Sequence, residues 1–421
     1  MRGQLLICMA LLLPGLCWAG EPVPSPDPLP LTLRDCYVLA LKRSETIATQ
    51  KELIKETEGR FLQAFSGALP RASFEASEKR QDGSGSSAFT LKRFPERKFV
   101  FTQPLFSGFK EFAAMAGSRA ERRQRLHEKA RAEQLVFVDV ANAFYLLLEQ
   151  REDLSALDAI RTALGERLGE LEERERLGRS RPSERVSAEA QLRRVLAEME
   201  SVRSQEAVAR NLLAFLVGRD PTEGVSDQDL ALPALEDEAV YLAKAPTRSD
   251  VLATKEASAV ARKQVTIARA KLWPNVDLES NYYTKRAGAA AGVDWDVLVK
   301  VDVPLFQGGQ TVGAIKERAA QARGAKLALS RAEREATLDI QDAYVKSQAS
   351  AKRTAALEEA LAAAEENYRL QREDYRRNLV NNLDVLQAVQ ALEDARRDLI
   401  HARYEAKRLY WQLRASVGET L

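Results

Sequence analysis

Two halves of the chain carry matching residues in the same order at a spacing that never changes. Pro104-Leu105-Phe106 recurs as Pro304-Leu305-Phe306, and Gly108 as Gly308. Arg131-Ala132-Glu133 recurs as Arg331-Ala332-Glu333, and Asp139, Ala143 and Phe144 correspond to Asp339, Ala343 and Tyr344. Ala188 and Leu192 correspond to Ala388 and Leu392, and Val217-Gly218 to Val417-Gly418. Loops tolerate insertions, whereas rigid rods lying side by side do not. A constant offset over so long a stretch predicts two copies of one long element, each spanning the same height.

The N-terminus reads as a secretory signal over 1–19. Arg2 precedes an apolar run from Leu5 to Leu13, too short to span a bilayer as a helix. Cys17 and Ala19 put small residues three and one before a cut after Ala19, and bulky Leu16 argues against lipid attachment at Cys17. Cleavage leaves Cys36 as the sole cysteine, which excludes an intrachain disulfide. His127 and His401 are far apart and lack the neighbours of common metal sites, so both are expected on helix surfaces and no metal is expected. Lys and Arg total 63 against 61 for Asp and Glu, a balance that does not call for nucleic acid. The basic stretch Arg119 to Arg131 is broken by Glu121 and Glu128, as on a solvated helix face. No phosphate-binding loop, nucleophile–base cluster or cofactor motif is visible, so an enzyme is not expected.

A proline-rich segment, 20–30, should be extended. The first repeat covers 31–218, a linker with Pro221, Gly224, Pro233 and Pro246 covers 219–246, the second repeat covers 247–418, and 419–421 is a tail. Within the first repeat a helical pattern runs from Thr32 toward Ser66, followed by strand texture over about 71–104 around a polar loop from Gln81 to Ser87. The proline-free stretch from Leu105 to Arg181 predicts a helix of about 70 residues, roughly 105 Å long. A turn at Ser180 to Glu184 starts a second helix that ends near Leu216. The second repeat predicts a helix over 248–271, strands over about 275–304, a long helix over 309–377, a turn from Asn378 to Asn382, and a helix to about 416. After each turn a 4-3 spacing marks a coiled-coil seam, with Ala188, Val195, Met199 and Val202 in one copy and Ala388, Ala395, Leu399 and Ala402 in the other.

The strand texture discriminates most. Trp295, Val297, Val299, Val301 and Val303 alternate with Asp294, Asp296, Leu298, Lys300 and Asp302; Val276, Leu278 and Tyr282 alternate with Asn275, Asp277, Glu279 and Asn281. Such strands fit a transmembrane β-barrel, apolar toward lipid and polar toward a wet lumen. A soluble hairpin on a helical body is the alternative, and the secretory signal favours the membrane. Four strands cannot enclose a pore and open edges are not tolerated in lipid, so several chains must share one ring.

This arrangement resembles the TolC family of outer-membrane efflux proteins from Leu31 to Gly418. The resemblance is carried by the duplicated helix–hairpin–helix–turn–helix order, by Leu69-Pro70 and Trp273-Pro274 before the strands, and by Gln103 to Gly108 and Val303 to Gly309 after them. Asp384-Val385-Leu386 and the closing Val-Gly pairs add to it. The resemblance implies an α+β membrane protein: a long coiled-coil α-helical barrel plus four strands per chain forming a shared trimeric β-barrel in the outer membrane of a Gram-negative bacterium, with a large periplasmic portion. It also implies a homotrimer whose partners are a periplasmic adaptor (a membrane fusion protein), an inner-membrane transporter and outer-membrane lipid, passing drugs, metals or secreted proteins without a cofactor. The positions matching the periplasmic gate are Tyr375, Asp384 and Gln387; the family pattern has a second aspartate where Gln387 stands. Asp384 also suits a helix start near the positive helix end. Adaptor-contact tips would be Leu177, Gly178, Arg179 and Ser180, with Asn378, Leu379, Val380 and Asn381; tight turns alone would also explain them. A periplasmic coiled-coil adaptor or scaffold without a pore is the competing reading.

Overall fold

A computed structural model describes residues 30–221, 224–227, 233–377 and 379–421. The expected signal peptide with Cys17, the proline-rich segment up to residue 29, part of the linker, and Asn378 lie outside the described residues.

Helix α1 (Leu33–Arg43) begins in a capping box, where the Thr32 side chain accepts from the Asp35 amide and the Asp35 carboxylate accepts in return. Ser44 leaves the helical backbone, ends α1 and caps α2 (Glu45–Ser66), so the run expected as one helix is two. Strands β1 (Arg71–Arg80) and β2 (Arg93–Ser107) form a hairpin, and α3 (Lys110–Arg176) and α4 (Pro182–Val217) follow. Short α5 (Glu238–Leu242) leads to α6 (Ser249–Ala270), the hairpin β3 (Asn275–Lys285) and β4 (Trp295–Asp302), then α7 (Gln310–Arg376) and α8 (Asn382–Ser416). Both α3 and α7 have 67 residues, about 100 Å each.

The four strands make one antiparallel sheet in the order β1-β2-β3-β4. One cross-sheet row reads Phe74, Phe99, Tyr282 and Trp295, each opposite the next. This face also presents Ala72, Phe101, Leu278, Val297, Val299 and Val301. The opposite face carries Glu75, Lys98, Glu279, Asn281, Asp296 and Lys300. Strand alternation with a period of two thus separates an apolar from a charged surface. Among the described residues no helix is long and apolar enough to cross a membrane.

The long helices run away from the sheet. The C-terminal parts of α3 and α7 pack against α4 and α8, and α6 lies between α3 and α7. A middle core gathers Cys36, Tyr37, Phe137, Phe144, Tyr145 and Leu213. A lower core, toward the hairpin turns, gathers Leu157, Leu164, Leu171, Met199, Tyr375 and Leu386. The α4 seam is buried at Ala188, Val195, Met199, Val202, Ala209 and Leu213, while Glu206 pairs with Arg151 at 3.2 Å. Helix α8 buries Ala388, Leu399, Ala402 and Leu413, and also a second row with Val389, Glu393, Ile400 and Lys407. The second row exists because α8 packs against α3 as well as α7; a single 4-3 seam describes only one of those contacts.

Candidate gate and docking ends of the helical hairpins

The end farthest from the sheet holds two helix–turn–helix tips. At the first, the Gly178 backbone is left-handed (φ 67°) and the Arg179 amide donates back to the Arg174 carbonyl at 2.8 Å, which closes the last turn of α3. At the second, the Leu379 amide donates to the Asp374 carbonyl at 2.9 Å, the equivalent bond. Leu177, Arg179, Leu379 and Asn381 are exposed, as is Gly178, while Ser180 and Val380 are partly buried and Ser180 donates to Glu184 at 2.9 Å. Both tips therefore present backbone and side chains beyond the last helical turn.

Of the three expected gate residues, the structure sets one apart. Tyr375 is buried, and its ring stacks under the Arg167 guanidinium at 3.9 Å and the Arg174 guanidinium at 4.7 Å. Its hydroxyl donates toward Glu184 at 3.4 Å. Arg167 also donates twice to the Asn382 side-chain oxygen, at 3.2 and 3.0 Å, and the Asn382 amide nitrogen donates to the Glu184 carbonyl at 3.3 Å. Residues of α3, α4, α7 and α8 meet here, so the contact ties the two hairpins together. Asp384 instead completes a capping box with Asn381, accepting from its amide at 3.0 Å. Gln387 is exposed. Within one chain Tyr375 is not joined to Asp384 or Gln387.

A ladder of ion pairs continues this link along α3 and α8. Asp153, 1 % exposed, accepts from Arg397 at 2.8 and 3.0 Å, and Arg397 reaches Glu198 of α4 at 2.9 Å. The Arg397 guanidinium is held more firmly protonated than usual, first by its hydrogen bond to Asp153. About one helical turn away along α3, Glu149 contacts His401 at 2.7 Å and also Arg408. Burial pushes the Glu149 carboxyl up, but hydrogen bonds from His401 and Arg408 outweigh it and leave a net lowering. The same bond raises His401. His401 is thus a partner in an interhelical pair, not merely a surface residue. Buried Glu393 has its carboxyl raised, chiefly by burial.

Arg167, Arg174, Glu184, Asn382, Asp153 and Arg397 were not among the residues singled out from sequence as gate positions. One signal was available: Arg167 and Arg174 are one heptad apart, on the same helix face. No comparable pattern marks the others.

The comparisons agree with this architecture. Residues 244–419 match the family described as outer membrane efflux protein. The outer membrane protein TolC of Vibrio cholerae is 24% identical over 339 residues, covering 76% of this chain and 75% of that relative. The structure of the outer membrane protein VceC from Vibrio cholerae superposes with a TM-score of 0.81 at 22% identity, covering 92% of this chain and 96% of VceC. The CmeC outer membrane channel of Campylobacter jejuni gives 0.79 at 14% identity, with 97% and 94% covered. The second repeat thus matches the outer membrane efflux protein family, and the chain as a whole is similar in sequence to TolC and shares the fold of VceC and CmeC.

Proposed function

We propose that three copies of this chain form the exit duct of a tripartite transport system, a passive pore that carries small molecules or secreted proteins out through the outer membrane. The carrying observation is an imbalance between the two repeats at the base of the sheet. Within the chain β2 pairs with β3, and Phe106 packs edge-on against Trp273 at 6.5 Å. The equivalent Leu305 and Phe306 after β4 are 92% and 90% exposed. Among the described residues, β1 and β4 also have no partner on their outer edges. Sheet edges must be paired in a bilayer. If β4 pairs with β1 of the next copy as β2 pairs with β3, the exposed pair meets the neighbour's Leu69-Pro70, the counterpart of Trp273-Pro274. Three such junctions close a ring of twelve strands.

The charged sheet face then lines a wet lumen and the long helices extend it into the periplasm. The mouth is gated by movement of α7 and α8 away from α3 and α4, which must undo the Tyr375 contact and the Arg397 ladder. Asp384, near Gln387 on α8, would place three carboxylates near the axis and favour cations. The exposed tips, Leu177 to Ser180 and Asn378 to Asn381, would dock a periplasmic adaptor linked to an inner-membrane transporter.

In the proposed ring the repeat correspondence would put Val301 beside Ala76 of the next copy, as Phe101 lies beside Ser280 within the chain. A chain with Val301→Cys and Ala76→Cys should form covalent trimers on oxidation, since paired strands hold Cα atoms within disulfide reach. A crosslink confined to monomers, or none in membranes holding folded protein, contradicts the ring. Planar-bilayer recordings then test the pore: Asp384→Ala should retain discrete conductance steps and lose cation preference. Unchanged preference removes Asp384 from the gate, and the absence of any conductance from folded protein favours a periplasmic scaffold.

A further inference from the structure

The apolar face of the sheet changes character at the end farthest from the helices. Its last aromatic row is Phe74, Phe99, Tyr282 and Trp295. The next row on the same face places Arg97 between Ala76 and Lys285, and beyond it Glu78 lies opposite Pro95 and Arg80 opposite Arg93. A register shift beside Lys98 leaves Thr284 out of the ladder and keeps Lys285 on this face. Four cations thus share the surface with one carboxylate. Glu78 is already taken, by Arg93 at 2.9 Å and Arg80 at 3.3 Å. Among the described residues no carboxylate reaches Arg97 or Lys285, and both are exposed.

The position of this cap is defined by strand geometry. From Trp273, in the turn just before β3, to Tyr282 the chain climbs at most roughly 30 Å, or about 23 Å along the membrane normal at a tilt of about 40°. That is the height of the apolar band of an outer-membrane barrel, about 25 Å. Arg97 and Lys285 therefore emerge just past the hydrocarbon, on the side away from the periplasmic helices. The other end of the face has Ala72, Phe101, Val276 and Val301 and no cation. Guanidinium and ammonium groups at headgroup depth need anions, and the planar guanidinium matches phosphate oxygens two at a time.

We propose that Arg97 and Lys285, backed by Arg80 and Arg93, form a binding site on the barrel exterior for phosphate-bearing lipid headgroups of the outer leaflet. The proposal rests on the reading that the apolar sheet face meets lipid. The site would hold such lipids around the barrel and fix its depth in the membrane.

The test uses the full chain in phosphatidylcholine vesicles doped equally with bisphosphorylated lipid A and its dephosphorylated form. Lipid retained after gentle extraction is read by native mass spectrometry. Wild type should retain the phosphorylated form about tenfold over the other, and the double variant Arg97→Gln with Lys285→Gln should retain the two about equally. Lys300→Gln, on the opposite face, should behave as wild type. No preference in the inserted wild type overturns the site, as does a preference unchanged in the double variant or lost equally in Lys300→Gln. Displacement by inorganic phosphate at millimolar concentration would mean a free-anion site and would also overturn it. Wild type that does not insert at all removes the barrel reading itself, whereas insertion without preference removes only the lipid site.

Discussion

Under the proposed parting of the hairpins, replacing Arg397 with alanine should open the mouth more than replacing its partner Asp153. The asymmetry comes from what each change leaves behind. Without Arg397, the Asp153 carboxylate stays buried at 1 % exposure with no hydrogen-bonding cation. Removing one partner of a buried pair costs about 3–5 kcal/mol, and the partial exposure of Arg397 places this pair at the lower end, about 3 kcal/mol. Without Asp153, Arg397 keeps Glu198 at 2.9 Å and meets water, so the loss is about 1 kcal/mol. Parting of the hairpins would hydrate the orphaned carboxylate, so the penalty falls on the closed state. In each chain Arg397→Ala then shifts the balance toward open by about 150-fold, and Asp153→Ala by about fivefold. Open fraction in planar bilayers at constant pH and salt measures the difference. The double substitution Asp153→Leu with Arg397→Met should restore closure, because packed apolar groups replace a buried pair at little cost. Equal opening by the two single variants, greater opening by Asp153→Ala, or no change in either would refute the reasoning.

Three other expectations follow from buried or part-buried titratable groups. Burial raises the Glu393 carboxyl, so its ionisation opposes folding increasingly as pH climbs from the ordinary glutamate range to the raised value; Glu393→Gln should raise the Tm at pH 7, with the gain shrinking toward about pH 4, and a lower Tm at pH 7 would contradict this. His401 is raised by Glu149, so its contribution is complete below about pH 6.5 and lost as pH climbs through the higher folded-state value. The fall in Tm above that pH should flatten in His401→Gln, and parallel slopes would show that the pair contributes nothing. Cys36 is fully buried and its thiol is pushed up to about 12 by burial, so maleimide should label it in urea and leave it intact in the native protein; rapid native labelling would mean that the α1 contact opens readily.

Local pattern carried much of the architecture. Pro70 and Pro274 precede β1 and β3 and Pro304 follows β4, whereas Pro104 lies inside β2 beside a register shift, so that strand runs past its expected end; a long proline-free stretch reads as helix because nothing interrupts its hydrogen bonding. Alternation over Trp295 to Val301 separates the sheet faces because successive side chains point to opposite sides. The break at Ser44 was not legible in this way, since serine is tolerated inside helices and only the backbone there shows the exit. Nor were the links between hairpins. Charged residues make up 29% of the chain, so many carboxylates could pair with Arg397. Asp153 becomes its partner only because α3 and α8, 244 residues apart at that contact, are packed together. Tyr375 could be placed near a helix end from sequence, but its position beneath Arg167 and Arg174 comes from the approach of the two hairpins. Periodicity along one chain segment determines elements and faces; which charges become buried together is determined by helices that meet only in the folded protein.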